Sequence, residues 1–69
     1  MSFQVGDRVK VVHLIENDYG KPYLPISLLG QTGIVVGYHP LSWTDSPYDV
    51  KLDDTGIIEY FNLVELELV

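Results

Sequence analysis

His13 and His39 are the two histidines of the chain, and imidazole is the side chain best suited to serve as a base or metal ligand near neutral pH. A metal centre needs three or four converging ligands. Neither histidine has a carboxylate at a fixed spacing, and the chain has no cysteine. Both are expected to be structural or solvent-exposed, so no metal site is expected. Asp53-Asp54-Thr55-Gly56 joins two carboxylates, but it lacks the spaced ligands of a calcium loop of roughly twelve residues. Its composition is that of a hairpin turn. Ser2, Ser27, Ser42 and Ser46 fall near the terminus or in loops, and none sits in a G-x-S-x-G elbow. No glycine-rich loop opens a helix, so a phosphate cradle is absent from the pattern. Glu59, Glu65 and Glu67 are expected to face solvent from alternating strands. The expectation is no catalytic residue, no cofactor and no enzyme activity.

The aromatic residues offer a different chemistry. Tyr19 and Tyr23 stand in one long loop and Trp43 in another. Aromatic side chains on two loops beside one groove could receive a proline-rich segment, or they could fold back to bury area on the domain.

Five short stretches must position these residues. Arg8-Val9-Lys10-Val11 alternates apolar and charged residues, the period of a half-buried strand, and continues to Leu14. Thr32 to His39 is rich in β-branched and aromatic residues and is stopped by Pro40. Tyr48-Asp49-Val50-Lys51-Leu52 and Ile57-Ile58-Glu59-Tyr60-Phe61 flank the Asp-Asp-Thr-Gly turn and read as a hairpin. Asn62-Leu63-Val64 suits one 3₁₀ turn, and Glu65 to Val69 closes the chain as a fifth alternating strand. No window sustains a helical period. The first loop, Ile15 to Gly30, and the second, Leu41 to Pro47, are long for so small a domain.

The chain has 69 residues, which predicts a single domain over 1–69. Four basic residues face ten acidic ones, a formal net charge of −6, which argues against a generic phosphate-binding surface. No apolar run approaches the roughly 20 residues of a membrane helix. Met1 to Asp7 lacks the pattern of a signal peptide, and the lack of cysteine fits the cytoplasm.

The order of these elements describes an all-β, five-stranded SH3-like barrel with a long first loop and a 3₁₀ turn before the last strand. Gly6-Asp7-Arg8-Val9-Lys10-Val11 resembles the opening strand of many SH3-like domains. Gly30-Gln31-Thr32-Gly33-Ile34-Val35 resembles the G-x-x-G-x-V turn of KOW-type barrels, with Gly30 and Gly33 permitting a tight reversal and Val35 entering the core. Leu24-Pro25, Leu29 to Val35 and Tyr48-Asp49-Val50 are similar in order to the carboxy-terminal barrel of the nitrile hydratase β subunit. That barrel helps to form a metalloenzyme whose cysteine ligands belong to another subunit. Tyr48-Asp49, Thr55-Gly56, Ile58, Tyr60-Phe61 and Glu65-Leu66 resemble the second half of the small YorP-type prophage proteins of Bacillus, a likeness that implies phage or prophage origin and no particular activity. Small photosynthetic electron-transfer accessory barrels share general features only. Gly6 to Val9 and Val35 to Tyr38 are similar to strands of type II, plasmid-borne dihydrofolate reductase. In that enzyme a Val-Gln-Ile-Tyr segment lines a tetramer pore. Here Ile58-Glu59-Tyr60-Phe61 takes its place, and Glu59 would repel an anionic cofactor. The activity is not implied.

The apolar pattern is two-sided. With Val35 inward, Ile34, Val36 and Tyr38 fall on the other face of the second strand. With Ile58 and Tyr60 inward, Ile57 and Phe61 fall on the other face of the fourth. An exposed apolar patch on a small protein usually marks an interface. The residues expected to meet a partner are therefore Ile34, Val36, Tyr38, Ile57 and Phe61 on the strands, with Tyr19, Tyr23 and Trp43 in the loops. The expected function is a protein-interaction module or small accessory protein, meeting a foreign protein or a second copy. The alternatives are a KOW-like nucleic-acid-associated domain, in which Arg8, Lys10 and Lys51 would gather on one side, or a subunit of an oligomeric enzyme.

Overall fold

A computed structural model describes residues 2–39 and 47–69. Alternation of apolar and polar residues produces four-residue β1 (Arg8–Val11), with Val9 and Val11 buried and Arg8 and Lys10 exposed. Then come β2 (Thr32–Tyr38), β3 (Tyr48–Leu52), β4 (Ile58–Phe61) and β5 (Leu66–Leu68). All pairings are antiparallel, in one sheet of order β4-β3-β2-β1-β5. The fold is all-β with five strands, and the helical segments among the described residues are two 3₁₀ turns, Ile26–Leu28 and Leu63–Glu65. The second precedes β5 as expected.

The inner side of the sheet holds the core. Val9, Val11, Val35, Val50, Leu52, Phe61 and Leu66 pack there with Tyr48, and Phe3, Leu14 and Leu28 close its ends. Phe3 meets Tyr48 edge-on, with ring centroids 5.4 Å apart, and its N–H donates to the tyrosine hydroxyl at 3.3 Å. Gly33 belongs to this packing rather than to a reversal. A Cβ there would lie 2.5 Å from the Lys51 carbonyl oxygen, so only glycine lets β2 approach β3 so closely. The reversal uses Gly30, whose φ is +86°.

The β3–β4 hairpin forms at the expected turn. Leu52 N–H donates to Ile57 O at 3.0 Å, and Gly56 N–H to Leu52 O at 2.9 Å. The phase of β4 is the reverse of the expected one. Phe61 is fully buried, and Ile58 and Tyr60 point outward with about half their surface exposed. Phe61 is therefore a core residue and not a partner-facing one. The register decides this: Phe61 stands opposite buried Tyr48, and Ile58 opposite exposed Lys51.

Glu65 also departs from expectation. It is buried, at 4% exposure. Its Oε1 accepts the Asn62 N–H at 2.8 Å, and its Oε2 accepts the Ile15 N–H at 2.9 Å. Val64 N–H in turn donates to Asn62 Oδ1 at 3.2 Å, completing a capping box at the 3₁₀ turn. One carboxylate thus joins the start of the first loop to the turn before β5, and it satisfies two main-chain donors that burial would leave costly. Leu24 and Leu28 anchor the remainder of that loop to the core.

Candidate functional site: the outer sheet face

Strand alternation sends a second set of side chains to the outer side. One cross-strand row runs Arg8, Ile34, Lys51, Ile58, each directly opposite the next in register. A neighbouring row sets Gly37 against Asp49 and Asp49 against Tyr60. Between Val35 and Gly37 the register shifts by a bulge, which leaves Val36 as the extra residue and exposes it. Ile34, Val36, Ile58 and Tyr60 thus surround the outward Lys51 and Asp49 of β3, all four apolar or aromatic side chains being exposed.

Charge on this face is balanced. Arg8 Nη2 donates to Asp53 Oδ2 at 2.6 Å, and the Thr32 hydroxyl donates to the same oxygen at 2.7 Å. These two hydrogen bonds, that of Thr32 first, hold the Asp53 carboxyl below its ordinary pKa of 3.8. Lys10 stands opposite Glu67 across β1 and β5. His39 Nε2 lies 2.8 Å from Asp49 Oδ2. The space for that carboxylate exists because residue 37 is glycine: a Cβ there would lie 2.7 Å from the same oxygen. The other oxygen, Oδ1, is buried without a hydrogen-bond partner.

The expected partner-facing residues are thereby sorted. Ile34 and Val36 lie on the outer face. Tyr38 does not, because the bulge returns it to the inner side, where its ring packs on Tyr48 with centroids 5.0 Å apart. Ile57 is exposed beside the hairpin turn, on the side of β4 opposite to Ile58. Phe61 is in the core. Tyr19 and Tyr23 are both exposed in the first loop, where Asn17 Oδ1 accepts the Tyr19 N–H at 2.9 Å. Trp43 lies outside the described residues. Sequence reasoning missed Ile58, Tyr60 and the His39–Asp49 pair. The signal for the pair was the register of the hairpin-like β2–β3 contact, which a bulge conceals.

An open depression elsewhere is lined by Val12, His13, Glu16, Pro22, Ile26 and Leu29. Among the described residues no three His, Cys, Asp or Glu side chains converge as metal ligands. No helix of the described residues is long and apolar enough to cross a membrane.

Five antiparallel strands in one sheet, with two 3₁₀ turns among the described residues, define the class of this protein: a small all-β fold. Within that class it is similar to the Bacillus subtilis protein YorP, whose solution structure superimposes with a TM-score of 0.70 at 25% sequence identity, over 100% of this chain and 71% of that one. The likeness expected from Tyr48-Asp49, Tyr60-Phe61 and Glu65-Leu66 is thus found in the fold as a whole. No protein-family profile and no curated protein sequence matches the chain.

Proposed function

We propose that this chain is a non-enzymatic, SH3-like accessory protein of phage or prophage origin, acting in the cytoplasm by contact of its outer sheet face with protein. The likeness to YorP supports the small accessory character and the origin. The observation that carries the contact surface is the outward set Ile34, Val36, Ile58 and Tyr60 around β3. An apolar cluster held on a rigid sheet marks an interaction site on a small domain. A nucleic-acid role has weaker support. Arg8, Lys10 and Lys51 do share this face, but Asp53, Glu67 and Asp49 stand among them, and backbone phosphates need uncompensated cations.

The test is affinity capture from an extract of Bacillus subtilis, the organism of the structural relative, with the wild type and Ile34→Asp side by side. The expected result is protein, whether a second copy of the chain added to the extract or a host protein, retained by the wild type and lost with Ile34→Asp. Retention of the same protein by both would contradict the assignment of this face.

A further inference from the structure

The outer face matches itself under a two-fold rotation. Lys51 and Asp49 project to the outer side of β3, with buried Val50 between them; Lys51 is exposed, and Asp49 is recessed, its Oδ1 buried and its Oδ2 beside His39. On β2, Ile34 stands level with Lys51, and Gly37, beside the bulged Val36, stands level with Asp49. On β4, Ile58 stands level with Lys51 and Tyr60 with Asp49. Consider two such faces meeting about an axis that lies between them and crosses β3 at Val50 at right angles. The rotation reverses positions along each strand and keeps β2 over β2 and β4 over β4. Lys51 then lies over the second copy's Asp49, Ile34 over its Val36 and Gly37, and Ile58 over its Tyr60. Opposite charges meet at the centre and apolar groups meet on both flanks. Such self-complementarity is what an isologous contact requires, and aligned sheet-on-sheet packing is an ordinary way to bury two apolar sheet faces.

Global charge allows the same approach. The chain carries −6 in all, but three of its four cations (Arg8, Lys10 and Lys51) share the outer face with Asp49, Asp53 and Glu67. These six charges sum to zero, and the other described acids, Asp7, Glu16, Asp18, Asp54, Glu59 and Glu65, are not among them, so two copies meeting here bring together a balanced set of charges.

We infer that the occupant of the outer face is a second copy of this chain, docked about a two-fold axis at Val50 with Lys51 of each copy on Asp49 of the other. This rests on the reading of the outer face as the contact surface, and it names the partner.

The experiment is sedimentation of the full chain from about 10 μM to about 1 mM, a range that covers weak to moderate affinities. The wild type is expected to be dimeric in the upper part of that range. Lys51→Glu brings two carboxylates together at each central pair, and Asp49→Lys brings two ammonium groups together. Each single variant should therefore associate at least about tenfold more weakly. Mixed in equal amounts, the two variants restore both central pairs, each a carboxylate against an ammonium group. The mixture should regain dimer to within about threefold of the wild type, since complementary charge is what sets partner choice. If Asp49→Lys does not fold, Val36→Asp and Ile26→Asp decide. The first, on the outer face, should abolish the dimer, and the second, exposed in the first loop, should leave it intact. A wild type that stays monomeric at about 1 mM, single variants that still dimerise, or a mixture that gains nothing over its components would each overturn the proposal. A monomeric wild type whose Ile34→Asp variant still loses captured proteins overturns the dimer and leaves the outer face with a foreign partner. A monomer that captures the same proteins with and without Ile34→Asp removes both.

Discussion

Asp53 shows how a turn residue reaches beyond its turn. The type of residue predicts a polar hairpin connection, and Asp53 does lead into one. Its carboxylate also accepts from Thr32 and Arg8, on β2 and β1, at 2.7 and 2.6 Å. The folded pKa is held below 3.8 chiefly by those hydrogen bonds, so the sign of the linkage follows. A carboxylate more acidic in the folded state contributes stability above its unfolded pKa and loses it as pH falls through the folded one. The wild type should therefore resist urea better than Asp53→Asn at about pH 6, and the difference should shrink toward zero near pH 2, below the ordinary carboxylate range. Urea midpoints of the two proteins across that range measure it. A difference that stays constant with pH would assign the Asp53 effect to packing. Glu65 makes the same point from inside the molecule. Its place in alternation predicts solvent, yet two main-chain donors from segments far apart in sequence draw it inward. The bond from Asn62 belongs to a local capping box, Asn62 to Glu65, but the bond from Ile15 is tertiary and no local pattern announces it.

The elements themselves were largely legible. Alternation identified β1, β3 and β5, the Asp-Asp-Thr-Gly turn located the β3–β4 hairpin, and Asn62 marked the 3₁₀ turn that follows. What local pattern left open was phase. Ile57-Ile58-Glu59-Tyr60-Phe61 offers apolar residues at both parities, and a one-residue choice inverts the faces. The pairing of Phe61 with Tyr48 settles it. In β2 the bulge at Val36 divides one apolar run into an outward half and an inward end. Ile34 therefore lies on the outer face, and half-exposed Tyr38 on the side of Tyr48. The phase of β4 has a direct energetic signature. Phe61→Ala should cost about 3–5 kcal/mol, the range for truncating a buried aromatic. Ile58→Thr keeps the β-branch at an exposed site and should stay within about 0.5 kcal/mol. Unfolding free energies of the two variants measured under conditions where the chain is monomeric check this, and comparable losses at both positions would contradict the inverted phase.

At the scale of the whole molecule, a chain of 69 residues buries one side of a single sheet and leaves apolar side chains exposed on the other. Its core includes Val9, Val35, Val50 and Phe61, a small interior for ordering so many residues. Covering the outer face would bury the apolar area that Ile34, Val36, Ile58 and Tyr60 leave exposed. In the proposed dimer, the two-sided apolar patterning is one core plus one interface. The charge distribution agrees, with a balanced set of charges lying where these apolar side chains gather. The likeness to YorP extends over the full length of the chain, so the sheet is the feature the two share as a whole. The five isoleucines of the chain report on this arrangement directly: Ile34 and Ile58 on the outer face, Ile26 and Ile57 exposed away from it, and Ile15 partly buried. The most direct measurement is methyl NMR of isoleucine-labelled protein at about 1 mM, with a soluble paramagnetic probe that bleaches whatever solvent reaches. The account predicts that Ile34 and Ile58 are shielded, regain exposure on dilution, and are exposed in Lys51→Glu, while Ile26 and Ile57 are bleached throughout. Equal bleaching of Ile34, Ile58 and Ile26 at every concentration would contradict it.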